Sequence, residues 1–478
     1  MQWMQQAAPV AFLLRYKINT LPLNKKRPTM REGSLEAPTR HPIDWQSEAF
    51  YDEKACFDEM ERIFDICHGC RRCVSLCQSF PTLFDLVDES ETMEVDGVSR
   101  SDYMKVVDQC YLCDLCYLTK CPYVPPHEWN LDFPHVMLRA KAIAFKKGTA
   151  TQFRDVQLAS TDRNGKLAGI PVVVQAVNAL AKNDSARKLG ESMIGVHREA
   201  WVPEFAPKSF RSQARTQRAV STNIKNGERT PGKVAIFSTC YVNYNEPGIG
   251  QDLIKILDHN QIPWILAEKE ACCGMPKLEL GDLDGVAELK AKNMPILAKL
   301  AREGYAILAA IPSCGLMFKQ ELPLMFPNCP DTQAVKAAMF DPFEYFTERS
   351  KDGLLDTGFK VGLGHVSYHI ACHLRVQNMG QRTKDLLSQV PETKVHTVER
   401  CSGHAGTWGV KKEFFDNAMK IGKPVFKQMS EHPAGKPDWI ASDCQLAGHH
   451  IAQGMERNKL NEAQMAHPLT LLRMAYGI

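Results

Sequence analysis

The sequence has no hydrophobic run long enough to cross a membrane. A membrane-spanning helix needs about 18 or more consecutive apolar residues. The nearest approach, residues 169–181, is shorter and includes Gln175 and Asn178. We interpret this segment as a helix packed on the protein's own core rather than at an interface. The sequence therefore predicts a cytoplasmic protein whose membrane contact, if any, is peripheral to the inner face.

An excess of charge of one sign is also missing. The 58 basic and 55 acidic residues leave a formal net charge of +3, which does not indicate nucleic-acid binding. Nor does the sequence contain a P-loop, an HExxH helix, a serine nucleophile elbow, or a flavin or nicotinamide site. A partner protein must therefore handle any organic hydride donor.

Acidic residues are absent from the first 31 positions, which are basic and contain three prolines. Such a start predicts a disordered tail or a start-site extension, which we place at residues 1–50. The chain has 17 cysteines, but they are grouped in tight runs and no clear signal peptide precedes them. This usage predicts a reducing, cytoplasmic compartment.

Eight of the cysteines form two dense runs. The first run, CxxCxxCxxxC, and the second, CxxCxxCxxxxC followed by Pro122, start at Cys67 and Cys110. Thiolates at this spacing bind [4Fe–4S] clusters, and in two-cluster ferredoxins the fourth ligand of each cluster comes from the other run. We therefore predict two [4Fe–4S] clusters, with these ligands: Cys67, Cys70, Cys73 and Cys121 for one, and Cys110, Cys113, Cys116 and Cys77 for the other.

Zinc and haem are the alternatives for these runs. Structural zinc usually takes paired CxxC halves at a distance, and covalent haem needs CxxCH, which is absent. One feature departs from the usual ferredoxin spacing, because four residues separate Cys116 from Cys121 where three is usual. This departure leaves the geometry of Cys121 open but not its identity as a ligand.

The regions around the runs are predicted from helical periodicity and composition. Apolar spacing predicts a helical, ferredoxin-type domain over residues 51–147. Residues 148–232 are predicted to be a helical segment and a basic linker. The linker prediction depends on residues 208–233, which contain seven basic residues, one acidic residue and no apolar periodicity.

The rest of the chain repeats itself. Short apolar strands alternate with helices in residues 233–349 and again in residues 350–478, and cysteines fall at the ends of matching strands. Such alternation predicts parallel α/β sheets, whose ligands bind at the carboxyl ends of the strands. The predicted fold class is multidomain α+β, in which a helical two-cluster domain precedes two homologous cysteine-rich α/β units.

The two units differ in their cysteines. The first unit has four, which predict a further iron–sulfur cluster or metal site: Cys240, Cys272, Cys273 and Cys314. The adjacent pair is also the candidate catalytic group. The second unit has three cysteines, which predict a weaker metal site: Cys372, Cys401 and Cys444. Ser402 stands at the position that corresponds to the second cysteine of the adjacent pair.

Three thiolates are one short of a closed tetrahedral site. Five histidines could supply a nitrogen: His369, His373, His404, His449 and His450. A histidine beside such a cysteine is more often a hydrogen-bonding neighbour than a ligand. As an alternative, His404 and Arg400 could face a substrate or a quinone.

The motif set resembles a known family. The two runs are followed by CCGMP at 272–276, SYHIACHLR at 367–375 and RCSGHAGTWGVKK at 400–412. Together these motifs are similar to the C subunit of anaerobic glycerol-3-phosphate dehydrogenase, the D subunit of heterodisulfide reductase, and the iron–sulfur subunits of lactate and glycolate oxidases. The resemblance covers the chain from about residue 60 to the C terminus.

The resemblance implies an oxidoreductase subunit that transfers electrons from a flavoprotein dehydrogenase, or another redox protein, toward membrane quinone or another acceptor. In heterodisulfide reductases each cysteine-rich unit carries a cysteine, a CC pair and a CxxC, which hold a noncubane cluster. This chain has Met317 at the fifth position of the first unit, and Ser402 and Ala447 in the second. Disulfide reduction on such a cluster needs a complete thiolate cage, so we expect electron relay instead.

Two alternatives to relay stay open from the sequence. One is a thiol–disulfide reductase that acts through Cys272 and Cys273. The other is a non-enzymatic protein that senses redox state or delivers clusters. Reduction of a quinone or of a disulfide by the purified protein would separate the first two functions.

Overall fold

The computed structural model describes residues 37–119, 121–149, 151–170, 172–460 and 463–478. Most of the predicted N-terminal extension therefore lies outside the described residues, but residues 37–50 are packed. Trp45 is buried, and its Nε1 donates to the carbonyl of Met325 at 3.1 Å. Arg40 pairs with Asp114 and Asp132. A buried indole and guanidinium both require fixed partners, so these two side chains attach the end of the predicted extension to the rest of the chain.

A helical region with an aromatic core follows. Its helices are α1 Glu53–Cys70, α2 Ser79–Asp88, α3 Tyr103–Asp108, α4 Leu115–Thr119 and α5 Phe133–Lys147, with 3₁₀ turns at Glu48–Tyr51, Val95–Gly97 and Arg100–Asp102. The Asp52 side chain caps α1 by accepting the Ala55 amide, and α1 ends at Arg71 in the left-handed conformation. The rings of Phe80 and Phe133 are buried with centroids 4.7 Å apart.

Five further helices occupy the region before the first sheet: α6 Phe153–Ala159, α7 Thr161–Ala168, α8 Val173–Lys182, α9 Asp184–Ile194 and α10 Phe210–Ala214. Helix α10 lies in the predicted basic linker, and its Phe210 is fully buried against Gly250. The helix expected around residues 169–181 meets the core only in part. Val174 of α8 is buried, whereas Leu180 is 59% exposed.

The first α/β unit is a four-stranded parallel sheet of order β2-β1-β3-β4. Its strands are β1 Val234–Phe237, β2 Trp264–Leu266, β3 Ala306–Ala309 and β4 Met339–Phe340. Its helices are α11 Cys240–Tyr244, α12 Pro247–His259, α13 Met275–Leu280, α14 Leu283–Arg302, α15 Pro312–Leu316, α16 Leu322–Met325, α17 Pro330–Ala338 and α18 Pro342–Lys351, with a π-helical turn at Met317–Glu321. Every residue of β1 and β3 is buried, as expected for central parallel strands.

The second unit repeats this sheet in the order β6-β5-β7-β8. Its strands are β5 Gly364–His369, β6 Thr393–Val398, β7 Trp439–Ser442 and β8 Gln464–Ala466. Its helices are α19 Cys372–Arg375, α20 Arg382–Leu387, α21 Phe415–Met429, α22 Gln445–Arg457 and α23 Pro468–Tyr476. The predicted pair of repeated α/β units with parallel sheets is confirmed.

The cysteines follow the strands of both units instead of ending them. Strand β1 stops at Phe237 and Cys240 opens α11, while β5 stops at His369 and Cys372 opens α19. The predicted strands were too long at these ends because the chain bends into a helical turn before each cysteine. The carboxyl ends of the central strands still bring the thiols to one edge of each sheet.

Helix α23 of the second unit makes polar contacts with helix α12 of the first. Arg473 on α23 pairs with Asp252 on α12 at 2.7 Å, and the Thr470 hydroxyl donates to the same carboxylate at 2.6 Å. One hydrophobic core includes buried residues of the helical region and of both units. Among the described residues, no helix combines the length and apolar character that crossing a membrane requires.

Candidate redox site

Thiols from the two dense runs group across the runs. Cys67, Cys70, Cys73 and Cys121 line one small cavity together with Phe80. Cys67 and Cys70 lie in the last turn of α1, and the left-handed Arg71 ends that turn. The Cys121 amide donates to the Cys116 carbonyl at 2.9 Å, which accommodates the additional residue in the second run. The spacing departure therefore does not separate Cys121 from this group.

The second group takes Cys77 from the first run and the remaining thiols from the second: Cys77, Cys110, Cys113 and Cys116. Electrostatic interactions connect these four sulfurs. Leu112 and Asp114 are both left-handed, with φ of 52° and 59°, so the loop between the cysteines coils tightly. Arg40 holds Asp114 from outside the runs, with Nη2 3.0 Å from Oδ1. The two groups are adjacent, because Cys73 also acts on Cys116.

The thiols of both groups are buried. Burial, with added repulsion from neighbouring thiolates, raises the pKa of Cys67, Cys113 and Cys116 well above the ordinary value. Four thiolates could share such a site only if a positively charged group compensated for them. The residues present therefore fit a thiolate-ligated iron–sulfur group.

Backbone amides point at several of these sulfurs. The amides of Tyr123 and Val124 donate to Cys121, and those of Ser79 and Phe80 donate to Cys77. Amide hydrogen bonds of this kind stabilise thiolate charge and tune the potential of a bound cluster.

The four cysteines of the first α/β unit also converge. Cys240, Cys272, Cys273 and Cys314 interact in that order, each within side-chain hydrogen-bonding range of the next. Asp162 on α7 accepts the Cys272 amide at 2.6 Å. The sequence predicted this convergence from the strand ends, but no motif indicated that α7 would contact it.

A cavity of about 380 Å³ opens on these four thiols. Its walls are mostly apolar and include Trp201, Phe205 and Tyr241, with Glu279 and His404 among the polar residues. Helices α6 to α8 and the loop after α9 supply one side of the cavity. The sequence predicted a helical segment within residues 148–232, but not that it would line a cavity.

Glu279 lies where the cavities of the two units meet, because it lines both the large cavity and a smaller one beside the second unit's cysteines. Burial raises its pKa to about 7, against the opposing charges of Lys141 and Lys411. A carboxyl group in this state can hold or release a proton near neutral pH.

In the second unit, only two of the three cysteines interact directly. Cys372 and Cys401 are within side-chain hydrogen-bonding range of each other, and both are buried. The hydroxyl of Tyr111, from the second run, lies 3.0 Å from Cys401 Sγ. Cys444 shares the cavity but interacts with Cys314 of the first unit. Tyr111 is a functional candidate that the sequence did not single out.

Four of the five candidate histidines divide into two kinds, and the fifth, His373, lines the smaller cavity beside the second unit's cysteines. His369 bonds at both ring nitrogens, to Ser442 at 3.0 Å and to the Arg400 carbonyl at 2.9 Å, and His449 pairs with Glu246 at 2.5 Å. They are hydrogen-bonding neighbours, as the sequence favoured. The Nε2 atoms of His404 and His450 are buried without a hydrogen-bond partner in the described part of the chain. His404 lines the large cavity, whereas Arg400 is exposed and does not.

Within the described ranges, no group of three or more Cys, His, Asp or Glu residues is arranged around a single metal ion. This observation concerns mononuclear sites, because a [4Fe–4S] cube takes its thiolates at four separate corners.

Comparison with known proteins confirms the resemblance. The family model for the CCG cysteine-rich domain matches residues 234–319 and 366–452, one match in each unit. The chain is 27% identical over 333 residues to the C subunit of anaerobic glycerol-3-phosphate dehydrogenase of Escherichia coli, and the match covers 68% of this chain and 78% of that protein.

Two further relatives match a smaller part of this chain. The B subunit of fumarate reductase (CoM/CoB) of Methanothermobacter marburgensis is 27% identical over 256 residues, 52% of this chain and 48% of that protein. Lactate utilization protein A of Bacillus pumilus is 28% identical over 184 residues, 37% of this chain and 75% of that protein.

Proposed function

We propose that this chain, which carries two CCG cysteine-rich domains and is homologous to iron–sulfur subunits of dehydrogenases and reductases, relays electrons from a partner flavin dehydrogenase toward a quinone or another acceptor. The observation that carries this proposal is that the last cysteine of each run, Cys77 or Cys121, lies with the thiols of the other run. It creates two adjacent four-thiol groups, and the second of them lies beside Cys401.

The first two groups are proposed to hold [4Fe–4S] clusters in a ferredoxin-type domain. Clusters of this type supply one-electron transfer. The chain's own residues hold the sulfurs in place, exclude water with the Phe80 and Phe133 core, and direct amides at Cys77 and Cys121. Lys141 adds a buried positive charge at Cys110, whose carbonyl its Nζ contacts.

The first CCG domain is proposed to hold a third iron–sulfur cluster on its four converging cysteines: Cys240, Cys272, Cys273 and Cys314. The cavity beside them would receive the acceptor, with Trp201 and Phe205 against an apolar ring. Glu279 lines the same cavity, and its pKa, which burial raises to about 7, would let it exchange a proton with an acceptor that takes up hydrogen.

The partner is inferred from what this sequence does not encode. It has no flavin or nicotinamide motif, and the name of the Escherichia coli relative describes one subunit of a dehydrogenase. A flavoprotein that oxidises a small organic substrate would therefore be the electron donor. Another redox protein could fill the same place.

Peripheral contact with a membrane is supported by helices α8 and α9. Leu180, Leu189 and Met193 are 59%, 59% and 75% exposed. Apolar side chains of this kind, with Lys188 nearby on α9, suit the headgroup region of an anionic membrane. Cosedimentation with phosphatidylglycerol vesicles should fall for Leu180→Asp combined with Met193→Asp, with Leu167→Asp as a matched change at an exposed apolar residue of α7.

A second candidate function is thiol–disulfide reduction. The observation that favours it is that Cys272 and Cys273 are among the residues lining the large apolar cavity, where a low-molecular-weight disulfide would fit. Under this function the adjacent cysteines, and not an aromatic ring site, would react with the ligand.

The decisive experiment is anaerobic purification with iron and sulfide analysis and EPR, for the wild type and for Cys273→Ser. We expect more than about eight irons, with a decrease on substitution. About eight irons, unchanged by Cys273→Ser, would contradict a third cluster. Quinone or disulfide reduction with an artificial electron donor then distinguishes the two functions, and transfer of clusters to apo-proteins without either activity would overturn both.

A further inference from the structure

The pair formed by Cys372 and Cys401 is not used by the proposed relay as a metal site. The two thiols are within side-chain hydrogen-bonding range and line a cavity of about 90 Å³. Cys444 lines the same cavity but interacts with Cys314 of the first unit. Both are free thiols, and hydrogen-bonding range brings their sulfurs near one another, as a disulfide requires.

Ser402 keeps the pair separate from other thiols. In the first unit the adjacent cysteines continue the interactions from Cys240 through to Cys314. In the second unit the corresponding position is Ser402, which is buried and cannot form a disulfide or bind iron through sulfur. Within the second unit, the thiols in hydrogen-bonding range of one another are therefore only these two.

The pair lies directly beside the second thiol group of the ferredoxin-type region. The Cys113 and Cys401 charges act on each other, and Cys113 also acts on Cys372. Tyr111 lies between two proposed cluster ligands in sequence, and its hydroxyl contacts Cys401 at 3.0 Å. The Gly403 amide donates to the same sulfur at 3.4 Å.

We propose that Cys372 and Cys401 form a redox-active dithiol–disulfide couple that collects two electrons from the relay. Reduction breaks the S–S bond, takes two electrons singly from the cluster on Cys77, Cys110, Cys113 and Cys116, and takes two protons from water. Oxidation by a two-electron acceptor such as a quinone re-forms the bond and releases both protons. This inference rests on the proposed function, because that cluster supplies the electrons.

Trypsin digestion provides a specific test. Cleavage after Lys360 and Arg375 gives peptide 361–375, and cleavage after Arg400 and Lys411 gives peptide 401–411, with one cysteine in each. The anaerobically purified full chain is oxidised with ferricyanide or reduced with dithionite, unfolded in N-ethylmaleimide, digested and analysed by mass spectrometry. We expect the linked peptide pair after oxidation and two alkylated peptides after reduction.

Four variants make the test more specific. Cys77→Ser should retain the linked pair after dithionite, because the route through the second group is lost. Cys329→Ser, a thiol beside Lys290 outside both cavities, should behave like the wild type. Cys372→Ser and Cys401→Ser should each lose the linked pair and keep the wild-type iron content.

Several results would overturn the couple. They are free thiols under both conditions, a linked pair under both conditions, loss of iron from Cys372→Ser or Cys401→Ser, and reduction of the disulfide in Cys77→Ser as readily as in the wild type. If EPR shows the clusters while the thiols stay free, the couple fails and the relay stands. If EPR shows no clusters, the relay itself fails.

Discussion

The two α/β units share a sheet and differ in what they can bind. Both have four parallel strands in the same order, and both carry cysteines at the edge where the strands end. The first unit brings four thiols together, while the second brings together only Cys372 and Cys401. The comparison teaches that the backbone places the site, whereas a few side chains such as Ser402 decide its chemistry.

Their surroundings differ as well. The thiols of the first unit face a large apolar cavity closed by helices α6 to α8 and the loop after α9, and those of the second face Tyr111 of the helical region. The second unit therefore lies next to the proposed electron source, and the first unit next to the proposed acceptor.

The largest expected effect separates the units by iron content. Cys273→Ser should lose the iron held by the first unit, about four atoms for a [4Fe–4S] cluster, and Cys401→Ser should lose none. Iron and sulfide analysis of both purified variants checks this. Equal losses would remove the proposed difference between the units.

The next largest effect is on stability, at the glycine that follows Cys273 in the first unit and Ser402 in the second. Gly274 and Gly403 both have positive φ, 103° and 81°. Alanine at either position costs about 1–2 kcal/mol for the left-handed backbone. A Cβ at Gly403 would also overlap the Ala418 carbonyl oxygen, whereas at Gly274 the nearest atom would be Met317 Cε at 3.5 Å.

Gly403→Ala should therefore lower the free energy of unfolding by about 1–3 kcal/mol more than Gly274→Ala does. Anaerobic denaturant unfolding followed by circular dichroism measures both. Equal destabilisation would show that the backbone packs no more closely around Gly403 than around Gly274.

Glu279, at the junction of the two cavities, should impose a pH dependence on stability. Burial raises its pKa from 4.5 to about 7. Between these values the folded protein holds a proton that the unfolded chain has released, so the free energy of unfolding falls as pH rises, by at most about 3 kcal/mol. Below the lower value and above the higher one, this group contributes no further change.

Glu279→Gln should lack that decrease. Unfolding measured between about pH 5 and about pH 8 tests it, with Glu303→Gln, at the exposed end of α14, as the matched control. The interpretation is wrong if Glu279→Gln and the wild type lose stability in parallel across this range.

The smallest effect is expected from Tyr111→Phe, which removes the hydroxyl bonded to Cys401 and keeps the ring packed on Trp408. The loss should be about 1 kcal/mol in the free energy of unfolding. Tyr305→Phe is the control in the first unit, because it lines neither thiol cavity. A loss as small as that of Tyr305→Phe would mean that the hydroxyl does not stabilise the second unit.

Several features of the fold were predictable because they depend on local pattern. The helical pattern predicted over residues 51–147 includes α5, which is capped by Asp132 and ended by the left-handed Gly148. The repeated strands were recognisable as short buried apolar runs. The strand ends were predicted too far along the chain, because the turns at Cys240 and Cys372 leave no mark in the apolar pattern.

The parts of the site that were missed depend on contacts between distant segments. Tyr111 meets Cys401 across 290 positions of the chain, and Asp162 meets Cys272 across 110. A tyrosine between two cysteines and an aspartate on a surface-like helix have no sequence pattern that distinguishes them from their neighbours. Packing of Trp45 against the region of Met325 was hidden for the same reason.

The sequence alone determined the number and spacing of the thiols, the two repeated α/β units, and the substitution of Ser402 for a cysteine. These follow from residue identity and short-range periodicity. Only the tertiary structure decided which thiols meet, which cavity covers Cys272 and Cys273, and that Cys401 lies against the second group of thiols from the dense runs. The physical reason is that burial and through-space contacts depend on how whole elements pack, which spacing along one chain does not specify.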